Sequence, residues 1–293
     1  MSANQDVNDR IGACSWSFNL PLDQVALEMQ RMGVKRVNLA MQPFLSGDRH
    51  GVAETIEAQT RALERVRSGE WRVTSTMISF PHEDYTCPTT LYATGGVLPD
   101  EFWPSVRLSV EKAAKLTGEL QIPYMLMHGG HLDWNKRELA EKFVSRISEL
   151  RDICSGNGVT LLLETGQETA ADLARLMPMI EGVGINFDPA NMIDGNVGDP
   201  IEALERLFPW IRHIHIKDAI RPEKENTWGC EVPWGEGEVR SARFMEKLGQ
   251  LGYSGNFAVE REAGEDRVGD IDRAIVSLRE TLWKQAGVDA EKQ

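Results

Sequence analysis

Residues 159–190, VTLLLETGQETAADLARLMPMIEGVGINFDPA, read as strand, helix and strand. VTLLLET (159–165) and VGINFDPA (183–190) are short runs of the kind that fit strands, and the segment between them, 169–180, is amphipathic. The same order extends in both directions. Six further β-like runs are RIGACSWS (10–17), RVNLAM (36–41), RVTSTMIS (72–79), YMLMHG (124–129), IRHIHIKD (211–218) and GNFAVERE (255–262). Amphipathic stretches at 21–32, 51–67, 101–117, 136–154, 200–208 and 240–250 separate them, and 267–285 closes the chain. Asp199-Pro200 reads as a helix cap followed by proline at the first helical position. Eight strand–helix units predict an α/β fold, a closed (β/α)8 barrel, whose typical size is about 250 residues. A doubly wound sheet would need fewer strands or a second domain, and no linker interrupts the chain. The expectation is therefore a single TIM-barrel domain over 1–293.

Two connections are unusually long, 80–100 (FPHEDYTCPTTLYATGGVLPD) and 219–239 (AIRPEKENTWGCEVPWGEGEV). Both leave the C-terminal end of a predicted strand, the side on which barrel enzymes keep their sites, so both are expected to act as lids.

Composition narrows the function. The chain of 293 residues is 41% apolar and 26% charged, ordinary values for a globular protein. Its 32 basic and 45 acidic side chains leave a net charge of −13, which repels phosphate backbones and anionic lipid. Neither a nucleic acid nor a membrane is an expected partner. No run approaches the roughly 18 apolar residues of a membrane span. Cys14, Cys87, Cys154 and Cys230 stand far apart with no C-x-x-C pair. Reduced thiols and a cytoplasmic location are expected, the more so because MSANQDVNDR lacks the apolar core of a secretory signal. Homo-oligomerisation is left open.

Four late runs share one design. Leu161 and Leu163 oppose Glu164; Ile185 and Phe187 oppose Asn186 and Asp188; Ile214 and Ile216 oppose His213, His215 and Lys217; Phe257 and Val259 oppose Asn256, Ala258 and Glu260. In a barrel the apolar alternates pack outward on helices, so the polar ones face the lumen. Glu164, Asp188, His215 and Glu260 then converge near one end. Three carboxylates that close raise one another's pKa, and a divalent cation removes the conflict. Three oxygen donors and one imidazole favour Mn2+ or Mg2+, with Co2+ or Zn2+ as alternatives.

LLLETGQE, GINFDPANM, HIHIKDAIR and FAVERE resemble, in order, motifs of the sugar phosphate isomerase/epimerase family of xylose-isomerase-like TIM barrels. Its relatives include the D-tagatose 3-epimerases, inosose dehydratases and type IV AP endonucleases. The resemblance implies that Glu164, Asp188, His215 and Glu260 are metal ligands, and that Glu164 and Glu260 are also the catalytic acid–base pair. It implies that Arg221 holds substrate oxygens. Asn191 stands where the epimerases carry a histidine. The endonuclease branch needs further histidines, and His215 is the last in this chain.

The implied activity is a divalent-metal-dependent, most simply manganese-dependent, isomerase or epimerase of a keto-sugar or sugar phosphate, working through a metal-stabilised enediolate. A lyase, dehydrating a keto-sugar or keto-inositol at the same centre, is the alternative; a non-catalytic sugar-binding barrel is a third. His128, Asn191, Lys217 and Trp16 are candidate substrate contacts, with His128 equally readable as a rim histidine. His131 reads as structural and His213 as a residue behind the ligands. Gln167 and Glu168 are placed to reach hydroxyls or to cap a helix. Trp134, Trp228 and Trp234 suit the apolar faces of sugars. Gly235-Glu236-Gly237 resembles the family's G-x-G turn, a candidate phosphate cradle.

Overall fold

The eight β-like runs supply eight strands: β1 (Ile11–Cys14), β2 (Arg36–Ala40), β3 (Arg72–Met77), β4 (Tyr124–Met127), β5 (Thr160–Glu164), β6 (Gly184–Phe187), β7 (Ile211–Ile216) and β8 (Asn256–Val259). In the computed structural model, which describes residues 8–285 and 287 apart from 47, 50 and 51, they close into one parallel barrel. Each strand pairs with its neighbours in sequence, and β8 returns to β1 through Ile11↔Phe257 and Ala13↔Val259. The principal helices are α1 (Leu22–Arg31), α2 (Ile56–Ser68), α3 (Trp103–Glu119), α4 (Arg137–Gly156), α5 (Ala170–Leu176), α6 (Pro200–Leu207), α7 (Ser241–Gln250) and α8 (Arg267–Gln285).

Alternation along the strands divides the interior in two. Leu161, Leu163, Ile185, Phe187, Ile214, Ile216, Phe257 and Val259 belong to the core between barrel and helices. Cys14, Ala40, Met77, Leu126, Leu162 and Ala258 form a separate apolar cluster with Trp16, which fills the lumen beneath the polar strand ends. Asp199 caps α6 as its sequence requires, its Oδ1 accepting from the Ile201 and Glu202 amides at 2.8 and 3.2 Å.

Some boundaries differ from expectation for local reasons. The first strand stops at Cys14, because Ser15–Phe18 winds into a 3-10 turn that ends at the left-handed Asn19. The helix expected over 51–67 begins only at Ile56, where the Thr55 hydroxyl accepts from the Ala58 amide; Val52–Ala53 pairs with Asp48–Arg49 instead, and residue 51 lies outside the described residues. A short helix over Pro189–Asp194 was not expected, although Asp188-Pro189 carries the same cap-and-proline signal as Asp199-Pro200.

The two long connections are structured and touch each other. Segment 80–100 contains a helix, Pro88–Thr94, and is seated on the end of β4 where Val97 N–H donates to Gly129 O at 3.0 Å. A Cβ at Gly96, whose φ is +65°, would lie 2.0 Å from Gly129 O, so only glycine allows this approach. In segment 219–239, Asp218–Ile220 pairs antiparallel with Cys230–Val232. Trp228 Nε1 donates to Tyr85 O at 2.7 Å, and Thr89 donates through its amide and hydroxyl to Asn226 Oδ1 at 3.0 and 2.6 Å. The contacts join the loops across the mouth of the barrel. Among the described residues no helix is long and apolar enough to cross a membrane.

Candidate metal centre

The C-terminal ends of β5 to β8 deliver Glu164, Asp188, His215 and Glu260 to one point. Each offers a donor atom within 4.8 Å of the others', and all four side chains are buried. His215 Nδ1 lies 2.9 Å from Glu164 Oε1, 3.2 Å from Glu260 Oε2 and 3.6 Å from Asp188 Oδ2. The local backbone explains the aim of Asp188. Its Oδ1 caps the Pro189–Asp194 helix, accepting from the Ala190 and Asn191 amides at 2.8 and 3.0 Å, and this turns Oδ2 inward. Burial pushes its carboxyl up to about 6.

Glu164 Oε2, Asp188 Oδ2 and His215 Nδ1 are buried without a hydrogen-bond partner. Such groups are costly unless something neutralises them. Their donor chemistry, carboxylate oxygen and one imidazole nitrogen, fits a hard divalent cation. Asn38, on the inward side of β2, lies beside the other face of His215, with its amide 2.9 Å from Nε2. Without a cation, burial opposes charge on the ring, but the surrounding carboxylates outweigh it and favour the protonated form. When His215 is neutral, as a metal ligand must be, the amide orientation that turns the unpartnered Oδ1 to Nε2 accepts the ring proton there and leaves the lone pair on Nδ1, toward the centre.

Lys217 and Trp16 orient Glu260. Trp16 Nε1 donates to Oε1 at 2.7 Å, and Lys217 Nζ lies 3.2 Å from Oε2. Burial alone would raise the Glu260 carboxyl, but the charges of Lys217 and His215 outweigh it and hold it well below the usual carboxylate range. Lys217 also reaches Glu262 Oε2 at 3.1 Å and Glu231 Oε2 at 3.7 Å. Glu231 in turn takes the Arg261 guanidinium at 2.7 Å, and Arg261 reaches Asp270 of α8 at 2.8 Å. Asn38, Glu231, Glu262 and Arg261 were not anticipated from sequence. Asn38 lay within reach of the alternation rule, between the outward Val37 and Leu39; the others depend on loop geometry.

Above the centre is a cleft of about 660 Å³, within the range of small-molecule sites. Its walls include Phe80, Tyr85 and Leu91 from one long connection and Trp228 from the other, with Asn191, Lys217 and His128 beside the four converging side chains. His128 Nε2 stands 3.7 Å from Glu164 Oε2. Burial would lower its pKa, but Glu164 and neighbouring carboxylates raise it. Asn191 Nδ2 reaches Glu164 Oε1 at 3.4 Å. Trp16 borders the adjoining cavity, Trp134 stacks under Arg175, and Trp234 packs on Phe244. His131 stacks on Tyr92, and His213, bonded to Asn186 and Thr74, is kept neutral by burial.

Trp16, Trp134 and Trp234 do not line the cleft, and two further expected contacts also lie elsewhere. Arg221 is engaged by Asn196 Oδ1 at 3.0 Å, Gly198 O at 2.9 Å and Glu238 Oε2 at 3.3 Å, and it does not line the cleft. The amides of Gly235 and Gly237 are directed at Asp218 Oδ2, at 3.0 and 3.1 Å, while Val239 and Ala219 donate to Oδ1 at 3.0 and 2.9 Å. The G-x-G turn thus wraps a carboxylate of its own chain. Asp218→Asn, which puts an amide NH2 among these donors, is expected to cost at least about 2 kcal/mol. Chemical denaturation of the variant measures it.

Gln167 lines the cleft with an unpartnered Oε1, whereas Glu168 is buried off it. Burial raises the Glu168 carboxyl from 4.5 to about 7. The folded protein therefore holds this proton more tightly than the unfolded chain. The stability it confers is intact below about pH 4.5 and is lost as pH rises through about 7, in total on the order of 3 kcal/mol. Glu168→Gln is expected to flatten that part of the stability–pH curve, followed by denaturant midpoints at a series of pH values.

The xylose isomerase-like TIM barrel family matches residues 81–281. An inosose dehydratase of Serratia proteamaculans (strain 568) is 28% identical over 164 residues, 48% of this chain and 53% of that protein. The chain spans about half the length of the curated relatives it matches. The crystal structure of a xylose isomerase domain protein from Planctomyces limnophilus superposes with a TM-score of 0.80 at 26% identity, covering 94% of this chain and 97% of that one. A D-tagatose 3-epimerase-like protein shares the fold, with a TM-score of 0.67 at 20% identity over 97% of this chain and 99% of that one. By sequence and by fold, this chain belongs to the xylose isomerase-like TIM barrel family.

Proposed function

We propose that the protein is a divalent-cation-dependent isomerase or epimerase of a small carbohydrate. Glu164, Asp188, His215 and Glu260 would hold the cation, Mn2+ by preference of donor type. The observation that carries the reading is the convergence of these four side chains with three buried donor atoms left unpartnered. When bound, the cation supplies Lewis-acid polarisation of a carbonyl and its neighbouring hydroxyl.

The chain's own residues do the rest. Glu164 and Glu260 arrive from strands separated by β6 and β7 and both line the cleft. One takes the proton α to the carbonyl, and the other, which exchanges its own proton with solvent between turnovers, delivers that proton to the opposite face, which gives epimerisation. Delivery to the adjacent carbon, with the neighbouring hydroxyl's proton passing to the former carbonyl oxygen, gives isomerisation. Lys217 and Trp16 fix the rotamer of Glu260; Asn191 does the same for Glu164. The joined lids exclude water from the proton in transit.

A lyase is the second reading, supported by the likeness to inosose dehydratases and by His128, which stands beside Glu164 where an acid for a departing hydroxyl would be needed. Both readings begin with the same proton removal. Incubation of candidate ketoses in deuterium oxide is expected to wash deuterium into the α-carbon, with product mass otherwise unchanged. Loss of water from the product would transfer the assignment to the lyase. No exchange with any ketose or keto-inositol, in protein shown to carry a cation, would leave only the binding role.

A further inference from the structure

Resting on the carbohydrate reading above, we propose that the cleft takes an uncharged polyhydroxy ketone and rejects phosphorylated or carboxylated counterparts. Glu83, Asp84, Asp194 and Glu262 line it beyond the metal ligands, as does Glu231, which Arg261 neutralises from behind. Among the described residues the cationic candidates on the wall are Lys217 and His128, and no arginine lines it. Lys217 is not free to receive an anion, since Glu260 and Glu262 occupy its ammonium at 3.2 and 3.1 Å. A dication at the centre still leaves its three carboxylate ligands with one negative charge in excess.

The two features that might have served a phosphate are committed elsewhere. The Gly235 and Gly237 amides bind Asp218, and Arg221 is bound to Asn196, Gly198 and Glu238. A neutral sugar meets no such conflict. The carboxylates accept its hydroxyls, and Phe80, Tyr85, Leu91 and Trp228 offer apolar surface to its C–H faces. Fixed negative charge in a partly closed, low-dielectric cleft repels an anionic ligand more strongly than exposed charge would.

The test is calorimetric titration of the full-length, Mn2+-loaded protein, freed of excess metal, with matched pairs: D-fructose and its 6-phosphate, D-tagatose and its 6-phosphate, D-ribulose and its 5-phosphate. The uncharged member is expected to bind at least tenfold more tightly at low salt, with the gap narrowing as salt screens the cleft. Asp84→Asn combined with Glu262→Gln, which removes two wall charges and frees one bond of Lys217, is expected to narrow it at least threefold. A phosphorylated sugar that binds as tightly as its partner overturns this proposal and leaves the carbohydrate reading intact. Failure of every sugar to bind while Mn2+ stays in place overturns the carbohydrate reading, and this inference with it.

Discussion

Replacing Glu260 by Gln is expected to lower kcat for α-proton exchange by about 10^3-fold or more, with a smaller change in KM. General acid–base groups contribute roughly 10^2- to 10^4-fold, and Glu260 is proposed to be a cation ligand as well. The neutral isostere keeps an oxygen donor and the size of the side chain. It loses the charge that Lys217 and the Trp16 N–H now hold in place. Glu164→Gln is expected to fall by a similar factor. Bound metal, measured by elemental analysis on the same samples, separates the two roles. A variant that has lost exchange but kept its metal shows loss of the proton-transferring group. Full exchange in both variants would falsify the acid–base assignment.

Stripping the protein with a chelator and restoring a divalent cation is the second experiment with a large expected effect. Three buried carboxylates and one imidazole then exchange mutual repulsion and unpartnered atoms for coordination. At a free concentration near 100 times Kd, binding adds about 2.7 kcal/mol of stability, a rise in Tm on the order of 5 °C for a domain of this size. Asp188→Asn is expected to lose most of the rise, since the orphan Oδ2 is gone and burial of a neutral amide needs no counter-ion. The same melting curve with and without cation would show that the four side chains meet for another reason.

The residues that made this centre readable are those whose placement follows from period two. Glu164, His215 and Glu260 sit at or within one residue of the ends of β5, β7 and β8, and each directly follows an apolar residue, Leu163, Ile214 or Val259, that packs outward and leaves the lumen for the polar one. Asn38 obeys the same rule in β2, but an isolated amide has no charge to advertise. Asp188 was readable twice over, as an inward alternate and as a cap before Pro189. The two connections over 80–100 and 219–239 were legible as long segments only. Which of their side chains would enter the cleft depended on the hairpin Asp218–Ile220/Cys230–Val232 and on the helix Pro88–Thr94, whose short spans carry too little periodicity to read. The expected roles of the G-x-G turn and of Arg221 came from resemblance; that Asp218 and Glu238 take up these groups instead depends on how the loop folds back, which linear spacing does not reveal.

The ion-pair chain from Asp270 through Arg261, Glu231 and Lys217 to Glu260 ties the final helix to a side chain of the candidate centre that it never touches. Cut the polypeptide ahead of Arg267 and Arg261 loses its carboxylate on α8, so Glu231 alone must answer the guanidinium. The pull that Glu231 exerts on Lys217 slackens, and the ammonium shifts its allegiance toward Glu260. Tail-end trimming is therefore expected to alter the electrostatic setting of Glu260 from a distance, in addition to uncovering one flank of the barrel.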